Sequence, residues 1–309
     1  ALEHGGLEEM VTTGVAAYGV PGTSIYLGLG EQLTLEQMLY GLMLASGNDA
    51  AVAIAEHIGG SVDEFCAQMN ARAAEIGATN TRFANPNGLP TANHYTTAHD
   101  LARIAARAMQ YPKFREIVST QRSTLPWEGR SYMRILKNKN KLLTTYEGAT
   151  GIKTGFTRTA GRCLVFGAKR DGLELVGVVL HCGDWFDEAA RLMDHCFDAY
   201  DWMELLENGE PLRQIAVQGG MCDTVQVALS GTLGAPISAS EIPRLVLDMP
   251  DVLQAPFPAG AQVGWAHFYV GDTLLCTRPA YTMEAVQARH FSGALERMLL
   301  RWPLCAQGN

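Results

Sequence analysis

Leu44-Ala45-Ser46-Gly47-Asn48-Asp49-Ala50-Ala51 stands at a break between two helical patterns. Ahead of it, Leu35, Met38, Leu39, Leu42 and Met43 recur at helical spacing. They follow Thr34 and Gln37, a capping-box pair that marks where this helix begins. Ser46-Gly47 stops it. Residues 49–58, rich in Ala, form a second helix closed by Gly59-Gly60. Ser61 and Glu64 make another capping box, for a helix running to about Ile76. Residues 79–96 carry much Asn, Pro, Gly and Thr and read as a long loop, a feature that is often functional inside compact domains. A further helix covers residues 98–109.

Strand signals follow. Residues 151–156, Gly-Ile-Lys-Thr-Gly-Phe, are short and extended, and residues 163–168 are largely apolar. Lys169-Arg170-Asp171-Gly172 is a turn, and the Asp-Gly pair joins the preceding run to residues 173–181 as a hairpin. Residues 11–28 read as extended chain broken by Val20-Pro21-Gly22, and residues 187–206 return to helical spacing. A helical block with an antiparallel sheet is an α+β arrangement, assigned here to residues 1–208. After Glu207-Asn208-Gly209-Glu210-Pro211, strand-like runs at 213–217, 224–229, 244–247, 262–269 and 273–277 alternate with turns. They predict a small all-β domain, a sandwich, over residues 209–287. Residues 288–305 predict an amphipathic helix with Phe291, Leu295, Met298, Leu299 and Trp302 on one face and Arg297 and Arg301 on the other. It reads either as a helix packed on the body or as an anchor on a membrane surface.

Composition sets the outer bounds. At ~150 residues per domain, 309 residues suggest two domains. An apolar content of 47% excludes a disordered or collagen-like chain. No apolar run approaches the ~20 residues of a membrane-spanning helix. The net charge of -8 argues against nucleic acid as a partner. The seven cysteines are odd in number, irregularly spaced and without a Cys-x-x-Cys pair, so most are expected to be buried thiols rather than disulfides. His181-Cys182 and His195-Cys196 match no common zinc spacing, and neither metal nor cofactor is expected.

Ser46-Gly47-Asn48 at a helix end and Lys153-Thr154-Gly155 on a strand before a hairpin are the second and third signatures of the penicillin-binding and serine β-lactamase superfamily. The chain most resembles the low-molecular-mass penicillin-binding proteins, the serine-type D-alanyl-D-alanine carboxypeptidases. The resemblance runs through Phe83-Ala84-Asn85-Pro86-Asn87-Gly88-Leu89, His94-Tyr95-Thr96-Thr97-Ala98-His99-Asp100-Leu101 and Asn140-Lys141-Leu142-Leu143. It continues through Gly151 to Thr157 with Ala160-Gly161, then the β domain and the terminal helix. It implies a penicillin-binding, transpeptidase-like first domain that removes the terminal D-Ala of peptidoglycan stem peptides through an acyl-enzyme. It also implies inhibition by β-lactams and a place outside the cytoplasm, peripheral on the outer face of the cytoplasmic membrane. The same resemblance gives the residues their roles. Ser46 relays a proton, and Asn48 holds the substrate amide and a catalytic lysine. Lys153 and Thr154 bind the substrate carboxylate, Gly155 lets the substrate backbone approach, and Thr157 contacts it. Backbone N–H groups, one of them on this strand, hold the oxyanion. His94 and His99 read as structural.

The family's first motif is Ser-x-x-Lys, whose serine is the nucleophile and whose lysine, one helical turn on, is the base. No serine of this chain has Lys three places on. In the family that motif lies just ahead of the counterpart of Ala1-Leu2-Glu3-His4. The expectation is therefore a fragment of an active enzyme that forms no adduct with penicillin. A non-catalytic wall- or penicillin-binding pseudoenzyme is the alternative. A β-lactamase is disfavoured by the β domain and by the lack of an obvious Glu-bearing deacylation loop.

Overall fold

A computed structural model of the chain describes residues 1–289. The chain divides into two compact units, Ala1–Asp198 and Ala199–Asn309.

The first unit opens with a two-stranded ribbon, β1 (Met10–Thr12) and β2 (Gln32–Thr34). Helix α1 (Leu35–Tyr40) starts at the predicted capping box: Thr34 Oγ1 accepts from the Gln37 N–H, and Gln37 Oε1 accepts from the Thr34 N–H. The helix then widens into a π-helical turn over Gly41–Ala45 and ends at Ser46, which sits in the left-handed region at φ 64. Single π turns recur at functional sites. Helices α2 (Asn48–Gly59) and α3 (Val62–Glu75) follow. Only half of the expected box at Ser61 forms, its hydroxyl accepting from the Glu64 N–H. Helix α4 (Ala98–Ala108) matches expectation. Helix α5 (Pro112–Ser119), the hairpin β3 (Arg122–Leu125) with β4 (Arg134–Lys137), and the single turn α6 (Leu142–Thr145) are elements the sequence reading did not name.

Strands β5 (Ala149–Thr157), β6 (Gly161–Arg170) and β7 (Leu173–Val179) form an antiparallel sheet in that spatial order. Asp171 and Gly172 both take positive φ, 46 and 87, as the two central residues of a type I′ turn must. Helix α7 (Trp185–Ala199) covers one face of the sheet through Leu164, Phe166, Ala168, Ala189 and Met193. A separate core joins Val11, Leu35, Met38, Leu44, Ala53 and Ile54 around α1 and α2.

The second unit holds β8 (Asp201–Leu206), β9 (Pro211–Gln218), β10 (Thr224–Leu229), β11 (Leu233–Ile237), β12 (Pro243–Asp248), β13 (Val252–Gln254), β14 (Gln262–Val270) and β15 (Thr273–Thr282). Six of them make one sheet in the order β12-β14-β15-β10-β9-β13, while β11 pairs with β8. Ile215, Val227, Leu233, Ala266 and Phe268 fill the core between them.

Two expectations are corrected. Residues 187–206 are not one helix: the helix ends at Ala199, and Asp201–Leu206 is a strand paired with Leu233–Ile237. Asp-Trp-Met-Glu-Leu-Leu fits either period, and its partner strand, which carries Pro236, decides. The compact units therefore part before β8, ahead of the expected division at 208. The cysteines are also less buried than expected. Of the six described, only Cys66 is buried and Cys222 is exposed. In β6, Cys163 alternates with Leu164, which takes the covered side. The amphipathic helix expected over 288–305 lies, from residue 290 on, outside the described residues.

Candidate active site

The left-handed turn at Ser46 and the extended Gly47 reverse the chain so that Asn48 opens α2 beside the end of the π turn. The Asn48 N–H donates to Thr23 O at 2.8 Å, and its Nδ2 donates to Pro21 O at 2.7 Å. Asp49, buried beneath it, binds the loop that runs back from Pro21. Its carboxylate accepts from Ser24 Oγ (2.6 Å) and from the N–H groups of Ile25, Leu27 and Ala50 (3.0–3.1 Å). A carboxylate there also suits the positive end of α2. Gly22, at φ 95, lies so close that a Cβ would sit 2.6 Å from Asn48 Nδ2. Gly22→Ala is expected to cost about 1–2 kcal/mol from its left-handed backbone alone and to displace the Asn48 amide. Urea denaturation and the ligand titration described below check the two effects.

Lys153 comes from β5. Its Nζ donates to Ser46 Oγ at 2.8 Å and to Thr154 O at 2.7 Å. Burial, and next the nearby Lys139 ammonium, push its pKa down to about 8. Burial also lowers Lys139. Thr154 is buried. A Cβ on Gly155 would meet only Cys163 O, at 3.9 Å. Nothing inside the protein demands glycine there, so the space it leaves is open to a ligand. Thr157 Oγ1 accepts from the Ala160 N–H at 3.0 Å.

All six residues singled out in the sequence line one cavity of about 760 Å³: Ser46, Asn48, Lys153, Thr154, Gly155 and Thr157. Five consecutive residues, Lys153 to Thr157, take part. Side chains of a strand alternate between faces, so such a run presents the backbone edge of β5, which is an edge strand of its sheet. The expected loop contributes Asn87, Gly88 and Leu89. Asn85 holds them by accepting from the Gly88 N–H (2.7 Å) and donating to Leu89 O (2.8 Å). His94 takes the structural part expected, accepting from the Ala84 N–H at 3.1 Å, with its pKa lowered by burial. His99 is exposed and 3.7 Å from Asp100.

The sequence reading missed other lining residues, among them Thr23, Lys139, Lys141, Arg162, Trp185 and Phe186. A signal for two was present in Lys137-Asn138-Lys139-Asn140-Lys141. Its asparagines are structural: Asn138 caps Val118 O and Thr120 O, and Asn140 Oδ1 accepts from the Leu142 N–H. The lysines between and after them turn to the cavity. Arg162, opposite Phe156 in the sheet, had no comparable signal. Among the described residues the cavity carries four cationic side chains and no carboxylate, in a chain of net charge -8. That field selects an anionic ligand.

Residues 3–183 match the family model described as D-alanyl-D-alanine carboxypeptidase. Residues 200–288 match the one described as penicillin-binding protein 5, C-terminal domain. A curated relative from Bacillus subtilis (strain 168), D-alanyl-D-alanine carboxypeptidase DacF, is 30% identical over 98% of this chain and 79% of its own length. The crystal structure of penicillin binding protein 5 from Haemophilus influenzae is 27% identical with a TM-score of 0.71, over 91% of this chain and 83% of that one. A peptidoglycan synthesis regulatory factor (PBP3) from Streptococcus pneumoniae, at 24% identity, shares the fold with a TM-score of 0.75.

Proposed function

The chain belongs to the D-alanyl-D-alanine carboxypeptidase family, and from that premise we propose that its cationic cavity is the seat for the D-Ala-D-Ala end of a peptidoglycan stem peptide. By family it is a serine-type carboxypeptidase, of a class that takes stem peptides and β-lactams. One observation carries the assignment of residues. Ser46, Asn48 and the Lys153-Thr154-Gly155 edge converge in one acid-free cavity although 107 positions separate Ser46 from Lys153.

Each group then has a task. The terminal carboxylate meets Lys153 Nζ, a charge-assisted contact, and the Thr154 hydroxyl. The extended peptide lies along the free edge of β5 as an added strand, with Gly155 leaving room for it. Asn48, its Nδ2 held by Pro21 O, offers its amide oxygen to a ligand N–H. Ser46 Oγ, already accepting from Lys153, stands where it can pass a proton to the leaving amine. The edge N–H groups of β5 face the position of an oxyanion. The acyl-enzyme needs a serine with a lysine three places on, and no position of Ala1–Asn309 supplies it. The 309-residue polypeptide is therefore expected to bind substrate without forming a covalent adduct. A stoichiometric adduct with a fluorescent penicillin on a denaturing gel would refute that.

The test of the cavity is a calorimetric titration with an acetylated tripeptide ending in D-Ala-D-Ala. Lys153→Met is expected to weaken binding by roughly 10–100-fold, as loss of a charge-assisted hydrogen bond requires. The sign of the pH effect follows from the lowered pKa. Below about 8 the ammonium is present and affinity is level. Above it the free site loses its proton, and affinity falls by up to about tenfold per unit. Binding that is flat from pH 6 to 10, or untouched by Lys153→Met, would move the carboxylate elsewhere.

We place the protein peripherally on the outer face of the cytoplasmic membrane, the setting of a wall-trimming enzyme. No described helix is long and apolar enough to cross a membrane.

A further inference from the structure

Away from the catalytic cavity, the first unit exposes a second cluster built around three aromatic rings. Tyr26 stacks on Trp127 at 6.3 Å with planes 17° apart, and Tyr132 meets Trp127 edge-on at 5.7 Å. Tyr26 is 71% and Tyr132 56% exposed. Trp127 and the Tyr26 backbone share one buried arginine. Arg134, 3% exposed, lays its guanidinium 5.0 Å over Trp127 and donates to Tyr26 O (3.2 Å), Pro126 O (3.2 Å) and Glu31 Oε1 (2.9 Å). One buried ion pair thus ties together the three segments that carry the cluster. Tyr26 itself is at φ 59, a strained backbone for a bulky residue. Strain of this kind gathers at ligand sites, and here it turns an apolar ring outward.

Beside the rings lies a cavity of about 390 Å³, lined by Trp127 and Tyr132 and by the planar polar side chains of Gln32, Glu128 and Arg130. Its size is in the ~300–1,000 Å³ range of small-ligand pockets. Flat aromatic faces flanked by planar amide, carboxylate and guanidinium groups match a pyranose ring. The apolar C–H face of the sugar covers an aromatic ring, and its hydroxyls exchange hydrogen bonds with the polar rim. One continuous loop links the cluster to the catalytic cavity. Thr23 lines that cavity, and Tyr26 lies three residues on, at most roughly 11 Å of chain.

We infer that Tyr26, Trp127 and Tyr132 form a platform for the sugar chain of the polymer whose stem peptide enters the cavity. The identity of the polymer rests on the proposed function; the affinity for a pyranose chain does not. The ligand class is a β-1,4-linked N-acetylhexosamine oligosaccharide, and the platform raises affinity for glycan-linked peptide over free peptide.

The test uses the full chain and the β-1,4-linked tetramer of N-acetylglucosamine as probe. In a nitrogen-15 spectrum the Trp127 indole signal, identified by its loss in Trp127→Phe, is expected to shift and saturate. Tyr26→Ala with Tyr132→Ala should weaken that binding at least tenfold while leaving the D-Ala-D-Ala tripeptide titration unchanged. Lys153→Met should leave sugar binding unchanged. No shift of Trp127 at 10 mM tetramer, or wild-type binding in the double variant, overturns the proposal. A variant spectrum that keeps its dispersion excludes unfolding as the cause. Failure of the tripeptide to bind, with the sugar still bound, would count against the proposed function alone.

Discussion

Arg134→Met is expected to lower the stability of the first unit by about 3–5 kcal/mol, the usual cost of stripping one partner from a buried ion pair. Glu31 and Arg134 are each 3% exposed and 2.9 Å apart. With the guanidinium gone, the Glu31 carboxylate keeps a single backbone donor, the Gly28 N–H at 2.7 Å, and no counter-charge. Tyr26 O and Pro126 O lose their donors as well. In a unit of this size each kcal/mol moves the midpoint by about 2–4 °C, so a fall of roughly 10 °C in thermal melting checks the result. Replacing both partners, Glu31→Leu with Arg134→Met, removes the orphaned charge. It should recover much of the loss, because a buried pair gains little over an apolar one. A double variant as unstable as the single would show that the pair stabilises through more than mutual neutralisation. The pair costs desolvation and returns geometry: it holds β4, the loop after β1 and the start of the Pro126 turn in one place.

Asp49→Ala is expected to cost about 3–5 kcal/mol, since each buried donor left without an acceptor costs ~1–3 kcal/mol. The loop relaxes to recover part of the sum. The N–H groups of Ile25 and Leu27 and the Ser24 hydroxyl all point at this one carboxylate. Its loss frees the loop that sets Gly22 and Thr23 against Asn48, so tripeptide affinity should fall with stability, although Asp49 is buried below the cavity. Urea denaturation and the calorimetric titration, run on the same preparation, measure both. Ser24→Ala removes one donor to Asp49 and the acceptor of the exposed Tyr26 N–H (2.7 Å) but leaves the Ile25 and Leu27 bonds to the carboxylate, and should cost only about 1–2 kcal/mol. If Asp49→Ala were as mild as Ser24→Ala, the carboxylate would not be what holds the loop.

Both residues show where reading the chain alone stops. Asp49 was visible as part of the motif around Ser46, but nothing local says that its acceptors serve a loop 22–25 positions upstream. Arg134 and Glu31 are 103 positions apart and carry no pattern at all. The helix stops, by contrast, were legible. The Thr34–Gln37 box, the halt at Ser46-Gly47 and the Asp171-Gly172 turn depend on contacts within six residues, and the structure has all three. Strand β8 was misread because its residues satisfy two periods, and only pairing with Leu233–Ile237 selects one. Arg162 was missed because a lone arginine on a strand looks like any solvated residue until its neighbours are known.

By itself the sequence determined the local stops and starts, the triplets Ser46-Gly47-Asn48 and Lys153-Thr154-Gly155, and the change to an all-β second unit. These follow from backbone geometry and side-chain period, which act over a few residues. Only the tertiary structure decided that the two triplets meet at 2.8 Å. It also decided that Lys139 lies near enough to help lower the Lys153 pKa, and that Tyr26 faces outward over Trp127. Burial and electrostatics depend on everything within a few ångströms, whatever its position in the chain. Which distant residues share that small volume is settled when the core closes.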